Sequence, residues 1–507
     1  MDAVDKRQWN GAAGDREMIT VRNPVTGEVV GSAPNMTADE VHEAAARARA
    51  AQPAWEGSGV TERARLLRRW MNALWRDRAN ATQIIRSETG KTDGGAFVEI
   101  AVMDAQVDYY YRHAARILRP QTRRATFPII QRARLYYRPY GVAGFITPWN
   151  YPLLNAIADL VAALIAGNTV IHKPSEITPF TSLYAVDLLY QAGIPRDVVQ
   201  VVTGRGETGR AVIDNVDYIS FTGSTSVGRK VAVQAAERLI PCTLELGGKD
   251  PLIVLNDADL ELAAAGALRG AFENAGQTCI SIERCYVESG IYEPFVEKVY
   301  EYACQINLGT GSGYDVHVGS LTNERELLRT EAHVQDAVEK GAKILCGGKR
   351  RPDLGPLFYE PTVLVDVDHT MLVMTEETFG PVLPIMRARD VDHAIQLAND
   401  NDYGLSASIY SRDARRAEQL ARRIQAGDVS INRPQMVFGT PSLPMGGVKQ
   451  SGLGRRNGPE GLLRFVNTQS ILIENTIIQP PALTHADPLT RNAYDVLRVL
   501  RNFLPLS

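Results

Sequence analysis

The stretch Tyr218-Ile219-Ser220-Phe221-Thr222-Gly223-Ser224-Thr225-Ser226-Val227-Gly228 decides the fold. A short β-rich run ends at a glycine-bounded turn, and the turn opens a helix. The free N–H groups and positive dipole end of such a helix suit a phosphate. Two glycines five residues apart depart from the G-x-G-x-x-G fingerprint, so the turn takes its meaning from its surroundings.

Upstream, Val142-Ala143-Gly144-Phe145-Ile146, Asn168-Thr169-Val170-Ile171-His172 and Val198-Val199-Gln200-Val201-Val202 are further β-rich runs with helical segments between them. Strand, helix, strand at this spacing predicts βαβ units, a parallel sheet and a dinucleotide-binding domain. A second alternation follows Lys249. It runs through strand Pro251-Leu252-Ile253-Val254-Leu255, a helix around 259–273, strand Arg284-Cys285-Tyr286-Val287, and helices near 291–306 and 322–340. Strands at 343–346 and 362–366 and a helix at 391–399 complete it. The expected fold class is α/β, with two doubly wound Rossmann-like domains and a small β-ribbon.

Before these domains, residues 1–17 read as a loose tail, and Met18–Val21 and Glu28–Gly31 as two strands. Thr37-Ala38-Asp39-Glu40 is a capping box, Thr61 opens a second helix to about Ala79, and 94–119 is helical by periodicity. Residues 128–140 alternate like a two-stranded ribbon, which an ordinary edge hairpin would also do. Beyond about 475, Tyr494, Val496, Leu497, Val499, Leu500, Phe503 and Leu504 form an apolar stripe at helical spacing, with Arg491, Arg498 and Arg501 towards its other side. Such a helix packs subunits together or lies at a membrane interface.

The 507 residues are too many for one core and predict two or three domains. A hydrophobic fraction of 45% and a charged fraction of 22%, without an apolar run of about 18 residues, argue against a membrane-spanning chain. Lysine and arginine number 55 against 58 acidic residues, so nothing calls for a nucleic acid, and a small-molecule substrate is expected. Five cysteines without paired metal-ligand spacing predict a reducing compartment, no disulfide framework and no metal site. The polar amino terminus lacks a secretory h-region, so the expected location is cytoplasmic.

Chemistry concentrates in Asn274-Ala275-Gly276-Gln277-Thr278-Cys279, where a cysteine follows small, flexible residues. A thiolate is the strongest common side-chain nucleophile near neutral pH, and Gly276 lets the backbone turn tightly beneath it. Thirty-four residues earlier, Glu245 stands in Leu244-Glu245-Leu246-Gly247-Gly248-Lys249. Burial among leucines raises a glutamate towards the working range of a general base.

These motifs keep company with Thr147-Pro148-Trp149-Asn150-Tyr151-Pro152, Lys173-Pro174-Ser175-Glu176, Phe221-Thr222-Gly223-Ser224-Thr225 and Glu376-Glu377-Thr378-Phe379-Gly380-Pro381. In order and spacing, from about residue 20 to 470, the set resembles the aldehyde dehydrogenase superfamily. The resemblance implies a dinucleotide domain at 1–127 with 141–248 and a catalytic domain at 249–445. It implies an oligomerisation ribbon at 128–140, grouped with a C-terminal extension at 446–507, in a homodimer or homotetramer. It also implies Cys279 as nucleophile, Glu245 as the base that hydrolyses a thioester, and Asn150 with the Cys279 N–H as oxyanion donors.

For the cofactor, the resemblance puts Lys173 and Glu176 at the adenosine ribose, with Ile146 and Trp149 nearby. Gly223 and Ser224 fall near the pyrophosphate, and Glu377 and Phe379 at the nicotinamide side. Glu176 accepts hydrogen bonds from a free 2′-hydroxyl and repels a 2′-phosphate, so NAD is expected over NADP. Matching positions put Tyr151, Ala158, Glu273, Met445 and Phe438 around a mostly apolar substrate tunnel.

Cys279-Ile280-Ser281-Ile282-Glu283-Arg284 is similar to a succinate-semialdehyde dehydrogenase subgroup, yet Glu273 stands where some of them carry a carboxylate-binding arginine. Ser281 replaces the second cysteine of redox-switched relatives. In the closing run Gly446-Gly447-Val448-Lys449-Gln450-Ser451-Gly452-Leu453-Gly454-Arg455, the departure is Arg456, where the pattern usually has an acidic residue. The expected function is NAD-dependent oxidation of an aldehyde to its acid. A semialdehyde dehydrogenase for a charged substrate and a catalytically silent structural relative are the alternatives.

Overall fold

Strands rich in β-branched and aromatic residues and buried on both faces need cover on both faces, and Val142–Ile146, Thr169–Lys173 and Tyr218–Thr222 are buried in this way. In the computed structural model, which describes residues 17–126, 131–311, 313, 315–474, 492, 495, 498 and 499, they lie in the middle of a six-stranded sheet. The order is Gly452–Leu453, Cys242–Glu245, Tyr218–Thr222, Val142–Ile146, Thr169–Lys173, Val199–Val201. All pairings are parallel except the Gly452–Leu453 edge.

The chain leaves Val142–Ile146 towards Val199–Val201 on one side, then crosses back to Tyr218–Thr222 on the other. A crevice opens beyond the carboxyl ends of the strands where the winding reverses in this way. Ile146, Lys173, Thr222 and Glu245 are the last residues of their strands, so four neighbouring strands end at that crevice.

The second sheet has seven strands in the order Lys343–Cys346, Thr362–Val365, Val382–Ala388, Ile282–Glu288, Asp250–Val254, Ser406–Tyr410, Asp428–Ile431. Only the Lys343–Cys346 edge is antiparallel. Leu252, Val254, Cys285, Val287, Leu383 and Ile385 form its buried middle, covered by helices such as Leu260–Phe272 and Tyr292–Ala303. Two parallel-sheet α/β domains are therefore present, as expected.

Local signals held where the chemistry was specific. Thr37 caps the helix Ala38–Gly57 through the reciprocal bonds with Glu40 that the capping box predicts. The next helix starts at Val60 rather than Thr61 and stops at Arg76, and a new one, Arg78–Thr89, follows at once.

The chain divides into two compact units, residues 1–119 with 138–467 and residues 120–137 with 468–507. The second unit corrects the expected ribbon. Residues 131–139 form one strand, not two, antiparallel to Gln121–Arg123 and flanked on its other side by Val466–Glu474. The alternation of Arg132, Arg134 and Tyr136 is that of a single two-faced strand. The expected boundaries move with it. Residues 120–126 fall in the second unit, and residues 446–467 fall in the first, where Gly452–Leu453 pairs with Cys242–Glu245. The tail at 1–16 and, apart from Arg498 and Val499, the apolar C-terminal stripe lie outside the described residues. Among the described residues no helix is long and apolar enough to cross a membrane.

Candidate active site

After the helix Leu260–Phe272 the backbone turns through three consecutive left-handed residues, Asn274, Ala275 and Gly276, with φ of 53°, 54° and 73°. Side chains disfavour that region, so the turn needs external support. Asn274 Nδ2 donates to the Asn150 carbonyl at 3.0 Å, Gln277 Nε2 donates to the Asn274 carbonyl at 3.0 Å, and Gln277 Oε1 accepts from the Thr322 N–H at 2.9 Å. A Cβ at Gly276 would stand 2.0 Å from the Gly380 carbonyl oxygen, so only glycine fits. The result presents Cys279, partly buried, to a cavity of about 720 Å³.

Asn150 lies just past the end of the Val142–Ile146 strand and meets this turn. Its Nδ2 donates to the Gln277 carbonyl at 3.0 Å, and its Oδ1 accepts from Asn155 Nδ2 at 3.3 Å. Together these fix which end of the carboxamide is nitrogen. An amide nitrogen carries two hydrogens, so one remains for a ligand oxygen.

Glu245 ends its strand with both carboxylate oxygens buried and without a hydrogen-bond partner among the described residues. Burial pushes its carboxyl up to about 7, with Arg456 and Arg464 pulling the other way. Lys249 is not its partner, being bound to Glu283 at 2.6 Å. Burial likewise pushes the Cys279 thiol up to about 12, against the pull of Arg456. In the resting site the sulfur is therefore a neutral thiol and Glu245 is poised to take a proton near neutrality.

The remaining predicted cofactor residues surround the same cavity. Lys173 Nζ is 3.5 Å from Glu176, whose side chain is half exposed at the rim. Gly223 and Ser224 precede the helix Thr225–Glu237, and a Cβ at Gly223 would be 2.7 Å from the Phe221 ring. Glu377 accepts the Gly248 N–H at 3.0 Å, and burial pushes it up to about 7 with Glu283 adding to the rise. Phe379 meets Trp149 edge-on, with ring centroids 5.7 Å apart. An open helix start, a rim carboxylate beside a lysine, and an aromatic pair near the sulfur together fit a nicotinamide dinucleotide.

The expected tunnel residues stand apart from this cavity. Met445 packs with Ile280 and Leu405, and Cys279 and Phe438 pack against that cluster. The Tyr151 hydroxyl is 2.8 Å from Thr278 Oγ1, Ala158 is buried in the helix Leu154–Ala166, and Glu273 lies 3.9 Å from Arg269.

Several residues escaped the sequence reading. Arg325 and Arg329 reach the cavity from the helix Glu324–Glu339, and Arg210 and Lys230 line it as well. Arg456, the departure in the closing run, lies 3.0 Å from Asp159, which also takes Arg464 at 2.6 Å. The available signal was Asp159 itself, a lone charge in Leu154-Asn155-Ala156-Ile157-Ala158-Asp159-Leu160-Val161.

With this geometry in view, comparison with known proteins is decisive. The family model described as Aldehyde dehydrogenase family matches residues 9–471. The chain belongs to the aldehyde dehydrogenase family.

As an aldehyde dehydrogenase it is an oxidoreductase acting on aldehydes, in a family that uses NAD(P). It is 42% identical over 469 residues to a Mycobacterium tuberculosis protein with the provisional name succinate-semialdehyde dehydrogenase [NADP(+)] 2, covering 92% of this chain and 90% of that one. It is 38% identical to the succinate-semialdehyde dehydrogenase [NADP(+)] of Escherichia coli K12, covering 91% and 95%. Among solved structures, the NAD-dependent aldehyde dehydrogenase of Sinorhizobium meliloti superposes with a TM-score of 0.89 at 36% identity, covering 93% and 94%.

Proposed function

We propose that this aldehyde dehydrogenase releases a free carboxylic acid, uses NAD in preference to NADP, and works through a thioester on Cys279. The observation that carries the reading is the convergence of Cys279, Asn150 and the unpartnered Glu245 on one cavity.

A planar aldehyde carbon is a poor hydride donor, so the carbon must first become tetrahedral. Cys279 Sγ bonds to it while Glu245 takes the thiol proton. Asn150 Nδ2 and the Cys279 N–H hold the oxyanion. The bound dinucleotide supplies the acceptor for the hydride and its electron pair. Collapse of the oxyanion leaves a thioester on the sulfur. Glu245, its proton passed to solvent, then takes a proton from water, and the resulting hydroxide adds to the acyl carbon. Departure of the thiolate, which takes the proton from Glu245, releases the acid and restores the Cys279 thiol and the Glu245 carboxylate. No thiol co-substrate is needed.

Glu176 supports NAD, since a carboxylate beside the ribose binds a hydroxyl and repels a phosphate. Lys173 is already matched by it at 3.5 Å. Arg210 and Lys230, on the same cavity, supply the opposing pull towards a phosphate.

For the aldehyde, the packing of Met445, Ile280 and Phe438 near Cys279 favours an uncharged aliphatic or aromatic chain. The names of the relatives favour a second reading, a semialdehyde that carries a carboxylate. Glu273 opposes it, because burial pushes this carboxyl up and a second negative group nearby would add to the cost. NADH formation with propanal, hexanal, benzaldehyde and succinate semialdehyde separates the two. A kcat/KM for succinate semialdehyde well above the neutral aldehydes overturns the apolar reading, and no turnover of any aldehyde overturns both.

A further inference from the structure

Beside Glu245 and Cys279 lies a buried charge cluster that the reaction above does not use. Asp159 sits one helical turn past Asn155 on Leu154–Ala166, and Arg456 and Arg464 close on its carboxylate from the chain's far end. Asp159 and Arg456 are buried, and the Arg464 side chain is 9% exposed. One carboxylate faces two guanidinium groups, so the cluster keeps a surplus positive charge where solvent screens little. Burial alone would raise Asp159, yet Arg456 and Arg464 hold it below its ordinary range, which keeps the trio ionised.

Arg456 is pinned in the backbone as well. Its N–H donates to the Met445 carbonyl at 2.7 Å and its carbonyl accepts from the Met445 N–H at 2.9 Å. The next residue, Gly446, has its Cβ position 3.2 Å from Glu245 Oε1, which puts the bridge against the base. From there Arg456 Nη1 donates to Asn155 Oδ1 at 3.3 Å, and Asn155 Nδ2 donates to Asn150 Oδ1 at 3.3 Å. Two hydrogen bonds therefore link the guanidinium to the oxyanion amide.

We propose that Arg456 is a positioning residue of this centre: through Asn155 it turns the Asn150 nitrogen towards the acyl oxygen, and its surplus charge favours the anions of Cys279 and Glu245. This rests on the roles given to those three residues above. The neighbours agree with it. At Cys279, Arg456 opposes burial while Asp250, Glu377 and Glu245 reinforce it. At Glu245, Arg456, Arg464 and Arg455 oppose burial, and Asp159 reinforces it. Arg456 is the strongest opposing charge at both.

The test compares Arg456→Met, Arg456→Lys and Asn155→Ala in the full-length protein. Iodoacetamide alkylation of Cys279 is followed against pH without cofactor, and steady-state oxidation is followed with NAD. Arg456→Met should need about one pH unit more for the same alkylation rate, a tenfold change for a unit shift, and the acid limb of kcat should move the same way. Arg456→Lys keeps the charge and should keep the alkylation profile. Asn155→Ala should also keep that profile but lower kcat/KM by up to about a hundredfold, the scale of a misplaced catalytic group.

A folded Arg456→Met with both profiles unmoved, or Asn155→Ala with wild-type kcat/KM, overturns the proposal. Should Arg456→Met not fold, the lysine and alanine variants decide: both must lose kcat/KM with alkylation unchanged. A wild type that is active, with variants indifferent, defeats this inference alone. A wild type that oxidises no aldehyde defeats the catalytic reading beneath it.

Discussion

Lys249 Nζ and Glu283 Oε2 meet at 2.6 Å with both side chains buried, and the same carboxylate accepts the N–H groups of Thr378 at 2.7 Å and Phe379 at 3.0 Å. One ion pair thus fixes the segment that carries Glu377 and Phe379 to the cavity. Phe379 itself sits at φ 56°, a conformation that needs such a hold. Glu283→Gln would leave the Lys249 cation buried without its counter-ion, which costs about 3–5 kcal/mol in comparable sites. The expected outcome is a large loss of stability in denaturant unfolding together with a weaker Kd for NAD. Unchanged NAD affinity would show that the pair serves folding alone.

Asn150→Ala removes the proposed side-chain oxyanion donor while its backbone contact with Asn274 can persist. Loss of such a donor typically costs about 2.7–4 kcal/mol of transition-state stabilisation, or about 10²–10³ in kcat. The change should fall on kcat rather than KM. Pre-steady-state NADH formation checks this directly, because the donor acts before the hydride leaves.

The fold was readable where one strand obeyed one rule. Val142–Ile146 and Lys343–Cys346 fall where expected, since apolar runs bounded by glycine have few other uses. Ser406–Tyr410 was missed because its serines look like loop residues. In the structure Ser406 is buried and its hydroxyl donates to Asp428 at 2.6 Å on the adjacent strand, a pairing no local pattern reveals. Cys279, Glu245 and Asn150, singled out through their motifs, do line one cavity. The cluster of Asp159, Arg456 and Arg464 was not legible. Asp159 meets Arg456 and Arg464 across about three hundred residues of chain, and each alone looks like a fault in its element.

The pH dependence follows from Glu245. With its carboxylate as the proposed base and burial pushing that carboxyl up to about 7, turnover limited by thioester hydrolysis should fall about tenfold per pH unit well below 7 and level off above it. Glu245→Gln should stop at the acyl-enzyme, seen by mass spectrometry as an adduct on Cys279. The stability sign runs opposite. A carboxyl raised above its unfolded value binds a proton in the folded state through the window from its ordinary value to about 7, so folding stability declines as pH rises across that window. Glu245→Gln should therefore be more stable than the wild type at pH 8 and equal to it at pH 4. A variant less stable at both would mean that the carboxylate has a partner.

The cofactor preference turns on a single rim residue. Glu176 is half exposed and 3.5 Å from Lys173, so replacing it with serine frees a lysine charge and removes the repulsion of a 2′-phosphate. With Arg210 and Lys230 on the same cavity, the freed cation joins two others. The kcat/KM with NADP should rise by about tenfold or more in Glu176→Ser, one charge contact being worth about 1.4 kcal/mol for each tenfold, while NAD loses its ribose acceptor and falls. The crossing of the two trends is the informative result. If NADP is already preferred by the wild type, the carboxylate does not govern selection, and Arg210 and Lys230 of the same cavity do.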